Sequence, residues 1–357
     1  MMSNHAARQT PPPARPPGWE NAAEQLYTIT SPDGGTVAWI CPEIGGNAIA
    51  YAVRVDGMWV QVLDIAPSPA VLRDVPSRYG LPILFPFPGG MRGGKYRWGG
   101  REYTVPPTYP TGSDPDGANI VIHGFAHIRP WRFVEQSGDR IVCEFVTPDA
   151  LDESRKPGYP FRVRLTHEIS LSADGLRSVL VAENQGPETA PLAFGLHPYF
   201  GAGVLGPDRS KIRVELPGRS ARAREAVEPG RPPAMTGRRE PAPADPIAIV
   251  PQGERMGVSR TDFPPATAVA RITGLPPIDG REGWTVTLSL DTGYQDLFLF
   301  APPVQTSISL EPQTQMMGAV SLPEGDPEGL QGLAPGATRS ATAVIRLVPP
   351  ADAGGTR

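Results

Sequence analysis

Apolar and polar residues alternate in short runs along most of the chain. The stretch "LYTITSPDGGTVAWICPEIGGNAIAYAVRVDGMWVQVL" alone holds at least four such runs. A period of two sends successive side chains to opposite faces, which predicts strands. Turn signals separate them. "SPDGG" reads as a hairpin turn, "GGKYRWGGREYTV" as a hairpin with Gly-Gly at its tip, and "SADG" as the link between "FRVRLTHEISL" and "LRSVLVAEN". "WTVTLSLD", "DLFLFAP", "TSISLEP" and "TRSATAVIRLVP" continue the pattern late in the chain. Only "AVLRDVPSRYG" predicts a turn or two of helix. No repeat of fixed length emerges. The Pro-, Gly-, Arg- and Ala-rich stretch from Pro217 to Pro251 reads as an excursion, because similar strands resume after it. The expected fold is all-β: one large antiparallel β-sandwich over residues 23–349, with a disordered Pro-rich tail at 1–22 and a flexible tail at 350–357.

Composition agrees with this picture. The 357 residues include 40 Gly and 45 Pro, too many backbone breakers for a helical bundle. The net charge of −4 provides no broad basic field, which argues against a nucleic-acid partner. The local arginine clusters "RSARAR" and "GRREP" read as solvated loop charges. Cys41 and Cys143 sit in apolar strand contexts and read as free buried thiols. No apolar run approaches the ~20 residues of a membrane span, and the N-terminus lacks the apolar core of a signal peptide. A cytoplasmic protein without membrane contact is expected, as a monomer or homodimer.

Three strand ends carry candidate chemistry. In "PLAFGLHPYF", Leu192, Phe194 and Leu196 share one face, while Ala193, Gly195 and His197 share the other. Small residues there leave space beside the histidine, and Pro198 ends or bulges the strand. In "NIVIHGF", Val121 and His123 share a face, and Gly124 permits a close backbone approach. His127 completes an H-x3-H spacing, but that spacing suits zinc only on a helix, so no metal is expected. In "TSISLEPQTQ", Ser307, Ser309 and Glu311 share a face, and Pro312 is expected to stop the strand. The common form suggests one groove lined by two histidines and a carboxylate. A strained Gly-x-Ser-x-Gly turn, a dinucleotide loop and a Walker loop are all missing from the sequence.

"GLPILFPFPGGMRGGKYRWGGREYTVP", "IHGFAHIRPW", "YPFRVRLTHEISLSADGL", "GLHPYF" and "LEPQT" follow one another in an order that resembles the aldose 1-epimerase (galactose mutarotase-like) family, over about residues 35–348. The resemblance implies the galactose mutarotase-like supersandwich and interconversion of the α and β anomers of an aldose, without a cofactor. It implies His197 as general acid, Glu311 as general base, and His123 as a sugar contact. Asp262 in "SRTDF" is the best match to an aspartate that holds sugar hydroxyls. The family's substrate-binding arginine falls at Gly90, so Arg92 is expected to replace it, with Arg78 or Arg129 as alternatives. Aromatics such as Tyr199, Phe200, Phe125 and Trp131 are candidates to pack the apolar face of the sugar.

Mutarotation opens and recloses a hemiacetal, so it needs one group that takes a proton and one that gives it. A carboxylate and an imidazole, with reference pKa values of about 4.3 and 6.5, suit that exchange near neutrality. Four readings follow: a mutarotase of free hexoses; a mutarotase of hexose 6-phosphates using Arg78, Arg92, Lys95 or Arg129; a non-catalytic sugar-binding module; or a lyase or hydrolase with a second carboxylate.

Overall fold

A computed structural model gives the protein's structure for residues 12–108, 121–225, 234–264 and 266–351, apart from the side chains of Arg92 and Ala234. Among the described residues the regular structure is mostly antiparallel strand, as the alternating pattern predicts. The largest sheet has nine strands. It runs from Arg132–Gln136 at one edge through the hairpin Val163–Ser172/Gly175–Asn184 to Thr338–Val348, Thr285–Leu290 and finally Ile247–Ala248. Strict alternation sets its core face: Val163, Leu165, His167, Ile169 and Leu171 are buried, and the residues between them are half-buried or exposed. Each large apolar side chain buried this way contributes about 1.5–3 kcal/mol.

A second sheet carries Met256–Arg260, Asp296–Ala301, Ile308–Gln313, Gly195–Leu196 and Ile83–Leu84 in that order, and Tyr199–Phe200 also pairs with Ile308–Gln313. All six residues of Ile308–Gln313 are buried. Both faces of this strand are therefore covered. Ile308 and Leu310 join the main core, while Ser309, Glu311 and Gln313 face the other way. Pro312 does not stop the strand. It lies within it, opposite Leu297.

The predicted hairpins form where expected. Gly99 and Gly100 turn between Lys95–Trp98 and Arg101–Thr104 with φ of 60° and 72°, a conformation that glycine adopts without strain. The one predicted helical stretch appears as Pro69–Asp74, capped by the Ser68 side chain. Cys41 and Cys143 are free and buried. The Pro217–Pro251 excursion contributes the hairpin Ser220–Glu225/Ala234–Pro241 and returns a strand to the nine-stranded sheet. No helix among the described residues is long and apolar enough to cross a membrane.

The proline-rich head is not all tail. Trp19 is fully buried and donates from Nε1 to the Ala66 carbonyl at 2.9 Å. It packs with Val37, Trp39, Cys41, Ile49 and Leu72 in a second apolar cluster on the sheet formed by Tyr27–Thr30, Thr36–Cys41, Asn47–Val55 and Met58–Gln61. An apolar face with alternating large residues needs a cover, and this segment supplies it.

One buried cation organises the loops beside the second sheet. Arg209 is 1% exposed and pairs with no carboxylate among the described residues. Its guanidinium donates to the carbonyls of Val250, Pro251 and Glu254 on one loop and of Pro302 and Gln305 on another, at 2.6–3.0 Å.

Candidate functional site

Strand register brings the acid–base candidates together. Gly195 pairs with Gln313 and Tyr199 pairs with Ser309, so the chain between them passes His197 across from Glu311. The pairing is interrupted at His197 and Pro198, because proline has no N–H to give the ladder. His197 Nε2 stands 3.2 Å from Glu311 Oε1, with side chains only 4% and 2% exposed. His123 arrives from a different part of the fold. The strand Val121–Ile122 pairs with Gly90–Met91, and His123 follows it at a φ of 59°. Its ring lies edge-on to His197 at 5.1 Å between centroids. The sequence had proposed these three residues for one groove, and the structure places them side by side.

Burial dominates the electrostatics. It pushes the Glu311 carboxyl well above its ordinary range and holds the His197 imidazole well below its own, with the neighbouring His123 adding to the second effect. Both shifts favour uncharged forms. The Gln313 side-chain amide donates to Glu311 Oε2 at 3.3 Å, leaving Oε1 facing the histidine. Tyr199 stacks flat on His197 at 4.7 Å.

The tautomer of His123 is fixed by backbone. The Gly89 N–H donates to His123 Nδ1 at 3.1 Å, so a neutral ring carries its proton on Nε2 and presents a donor there. His123, His197 and Glu311 offer possible ligand atoms within 4.8 Å of one another. The backbone bond to Nδ1 opposes metal binding by His123, since Nε2 would first have to lose its proton.

The remaining sequence candidates have other surroundings. Asp262 is paired with Arg239 at 3.3 Å, at the outer end of an ion network. Arg129 donates to the Ala150 carbonyl at 3.2 Å and lies 3.5 Å from Asp152. The Arg92 side chain lies outside the described residues. Gly195 does not open space beside His197, as its parity suggested. A Cβ there would run into the Pro312 carbonyl of the adjacent strand, so the glycine serves strand packing. Gly124 does allow a close approach, to the Phe85 carbonyl. Phe125, Phe200 and Trp131 belong to the apolar core.

Several residues at the site escaped the sequence reading. Asp296, Phe298 and Phe300 alternate along one strand, opposite Gln313, Glu311 and Ser309 respectively. Phe298 and Phe300 are half-buried, with the Arg224 and Arg255 guanidinium groups over their rings at 5.3 and 5.1 Å. Asp296 is buried and lines a small opening with Ser259, Phe298, Gln313 and Met317. Its carboxylate is gripped by Arg222, through Nε at 2.8 Å and Nη2 at 3.0 Å. Arg222 also reaches Glu328 at 2.7 Å, and Arg239 joins Glu328 to Asp262. Arg222 is therefore not a solvated loop charge. It is 4% exposed and neutralised by two carboxylates. The available signal was the period-two pattern "DLFLF", which puts one acid and two aromatics on a single face.

Known proteins match this architecture. The family described as aldose 1-epimerase matches residues 26–218. YphB of Escherichia coli K12, an uncharacterised protein, is 32% identical over 117 residues, and YihR of the same organism is 29% identical over 119. Each match covers 33% of this chain and 35% of the relative, so it spans about a third of those proteins' length. Among solved structures, a galactose mutarotase-like protein from Clostridium acetobutylicum superimposes with a TM-score of 0.68 at 19% identity, over 88% of this chain and 93% of that one. An aldose epimerase homologue from C. elegans gives 0.66 at 14% identity, over 92% and 100%. At these identities the structural likeness is one of fold. The family match covers more than half of the sequence, and the chain belongs to the aldose 1-epimerase family.

Proposed function

We propose that the protein is a mutarotase that interconverts the α and β anomers of a hexose by general acid–base ring opening, with no cofactor. The observation that carries this reading is the 3.2 Å approach of His197 Nε2 to Glu311 Oε1 in a buried site. The anomeric hydroxyl and the ring oxygen are bonded to the same carbon. Two groups that exchange protons with them must therefore also lie close together, as this pair does.

In the reacting form the one proton held between the pair sits on His197 Nε2 and Glu311 is a carboxylate, so the anomeric hydroxyl gives up its proton to Glu311 and the ring oxygen takes the one on His197. The bond between the anomeric carbon and the ring oxygen breaks, leaving an open aldehyde. Rotation about the adjacent carbon–carbon bond exposes the other carbonyl face. The ring oxygen then returns its proton to His197 as it attacks, and Glu311 reprotonates the new anomeric hydroxyl. Protons balance over the cycle. His123 presents Nε2–H to a sugar oxygen, and Asp296, held by Arg222, accepts from a hydroxyl farther along the ring. Exclusion of water strengthens each of these interactions.

Of the described cations weighed for a hexose 6-phosphate, Lys95 is engaged by Glu102 at 3.1 Å and Arg129 by Asp152, which leaves Arg78, near enough to His197 to act on its charge, as the one a 6-phosphate would need. Polarimetry on freshly dissolved α-D-glucose and α-D-galactose, with glucose 6-phosphate in parallel, tests the proposal. Faster equilibration of a free hexose than in buffer is expected. If none of the three sugars equilibrates faster with the protein, the enzymatic reading is wrong and a sugar-binding role takes its place.

A further inference from the structure

We propose that Ser309 is a positioning residue for the acid–base pair. Its hydroxyl fixes the ring proton of His197 on Nδ1, leaving Nε2 as the one atom of that ring that trades a proton with Glu311 and substrate. The inference rests on the reading of His197 as an acid–base group.

The argument is a count of hydrogens. A serine hydroxyl has one proton to donate. Ser309 Oγ lies 2.8 Å from the Pro198 carbonyl, which can only accept, so that contact takes the hydroxyl proton. The same Oγ lies 2.7 Å from His197 Nδ1. With its proton spent, the oxygen meets Nδ1 through a lone pair, and Nδ1 supplies the hydrogen. Ser309 is fully buried, and no solvent competes for either bond. In a neutral ring, Nε2 then carries a lone pair. That lone pair faces Glu311 Oε1 at 3.2 Å, while the other carboxyl oxygen accepts from Gln313. Two bare lone pairs at that distance would repel, so one proton lies between Oε1 and Nε2. The resting site holds a single mobile proton shared by the two residues.

The strand explains why Ser309 occupies this place. Ser309 and Glu311 are two residues apart on one face, so one short segment supplies both the partner of Nε2 and the partner of Nδ1. Tyr199, which pairs with Ser309 across the sheet, stacks on the imidazole and fixes its plane. Ser309 touches neither the sugar nor the reacting atoms, and it acts through His197.

Nitrogen NMR of ¹⁵N-histidine-labelled protein near neutral pH tests this, with His197→Gln used to assign the signals. A neutral ring protonated on Nδ1 is expected for His197, and Ser309→Ala should convert it to a mixture of tautomers. In polarimetry on α-D-glucose and α-D-galactose, Ser309→Ala should lower kcat roughly tenfold or more, part of the ~10²–10⁴ that a whole acid–base group supplies. KM should change less than about twofold, and Ser309→Thr, which restores a hydroxyl, should recover most of the loss. A wild-type His197 ring that lacks a proton on Nδ1 and carries its one proton on Nε2 overturns the proposal whatever the activity, and so does an unchanged kcat in a folded Ser309→Ala protein. If the wild-type chain accelerates neither sugar, the enzymatic reading fails, and the wild-type tautomer still decides the role of Ser309.

Discussion

Glu311 and His197 meet because they occupy facing positions of two antiparallel strand segments, with the Gly195–Gln313 and Tyr199–Ser309 pairs bracketing them. Sheet register sets their separation. A one-residue slip of either strand would turn one of the two side chains to the opposite face.

Removing the carboxylate should abolish most turnover. Glu311→Gln keeps the size and the contact with Gln313 but cannot take a proton. We expect kcat to fall by roughly 10²–10⁴ in polarimetry, with an unchanged circular dichroism spectrum. A rate within threefold of the parent would mean that another group serves as base.

The Arg222–Asp296 pair should show strong coupling. Breaking a buried pair from one side typically costs ~3–5 kcal/mol, because the other charge is left uncompensated. Arg222→Met and Asp296→Leu should each destabilise by about that amount in urea unfolding. The double variant should lose clearly less than the sum of the two. Additive losses would show that the two charges do not depend on each other.

Stability should fall with acid through the buried histidines. His167, bonded to Ser178 Oγ at 2.8 Å, is held down to about 3 by burial, from an ordinary value of 6.5. Its folded-state value is depressed, so its contribution is fully present above pH 6.5. Below that point the unfolded chain takes up a proton that the folded chain refuses. At pH 4.5 the loss from His167 alone comes to about 3 kcal/mol. His127 and His197 are shifted in the same direction by burial. Urea unfolding at pH 7 and pH 4.5 should show a His167→Gln variant losing about 3 kcal/mol less than the parent between the two conditions. An equal loss would assign the acid sensitivity elsewhere.

The Trp19 cover should matter for stability and little for catalysis. Trp19→Ala leaves a cavity over the four-stranded sheet, and truncations of this size cost ~3–5 kcal/mol. A lower denaturation midpoint with kcat within about twofold of the parent is expected. An unchanged midpoint would show that the segment is not anchored by its tryptophan.

Much of the fold was legible because strand alternation is a local signal. "FRVRLTHEISL" shows its core face residue by residue, and "RWGGRE" shows its turn. The site trio was legible for a related reason. His123, His197 and Glu311 each stand at a break in an apolar run, flanked by Gly or Pro. What stayed hidden depends on pairing between distant strands. Nothing in "RSARAR" reveals that Arg222 meets Asp296, because the partner is fixed only when Asp296–Ala301 lies between Met256–Arg260 and Ile308–Gln313. Gly195 misled for the same reason: its missing side chain makes room for a neighbouring strand's carbonyl, which a single strand's pattern does not show. Trp19 was obscured by its proline-rich neighbours, whose composition resembles that of unstructured tails.

Arg209 grips two loops entirely through main-chain oxygens. Every amino acid offers the same carbonyl, so the side chains along 250–254 and 302–305 can change without loosening the staple. The constraint falls on one arginine instead of on the loops it ties down.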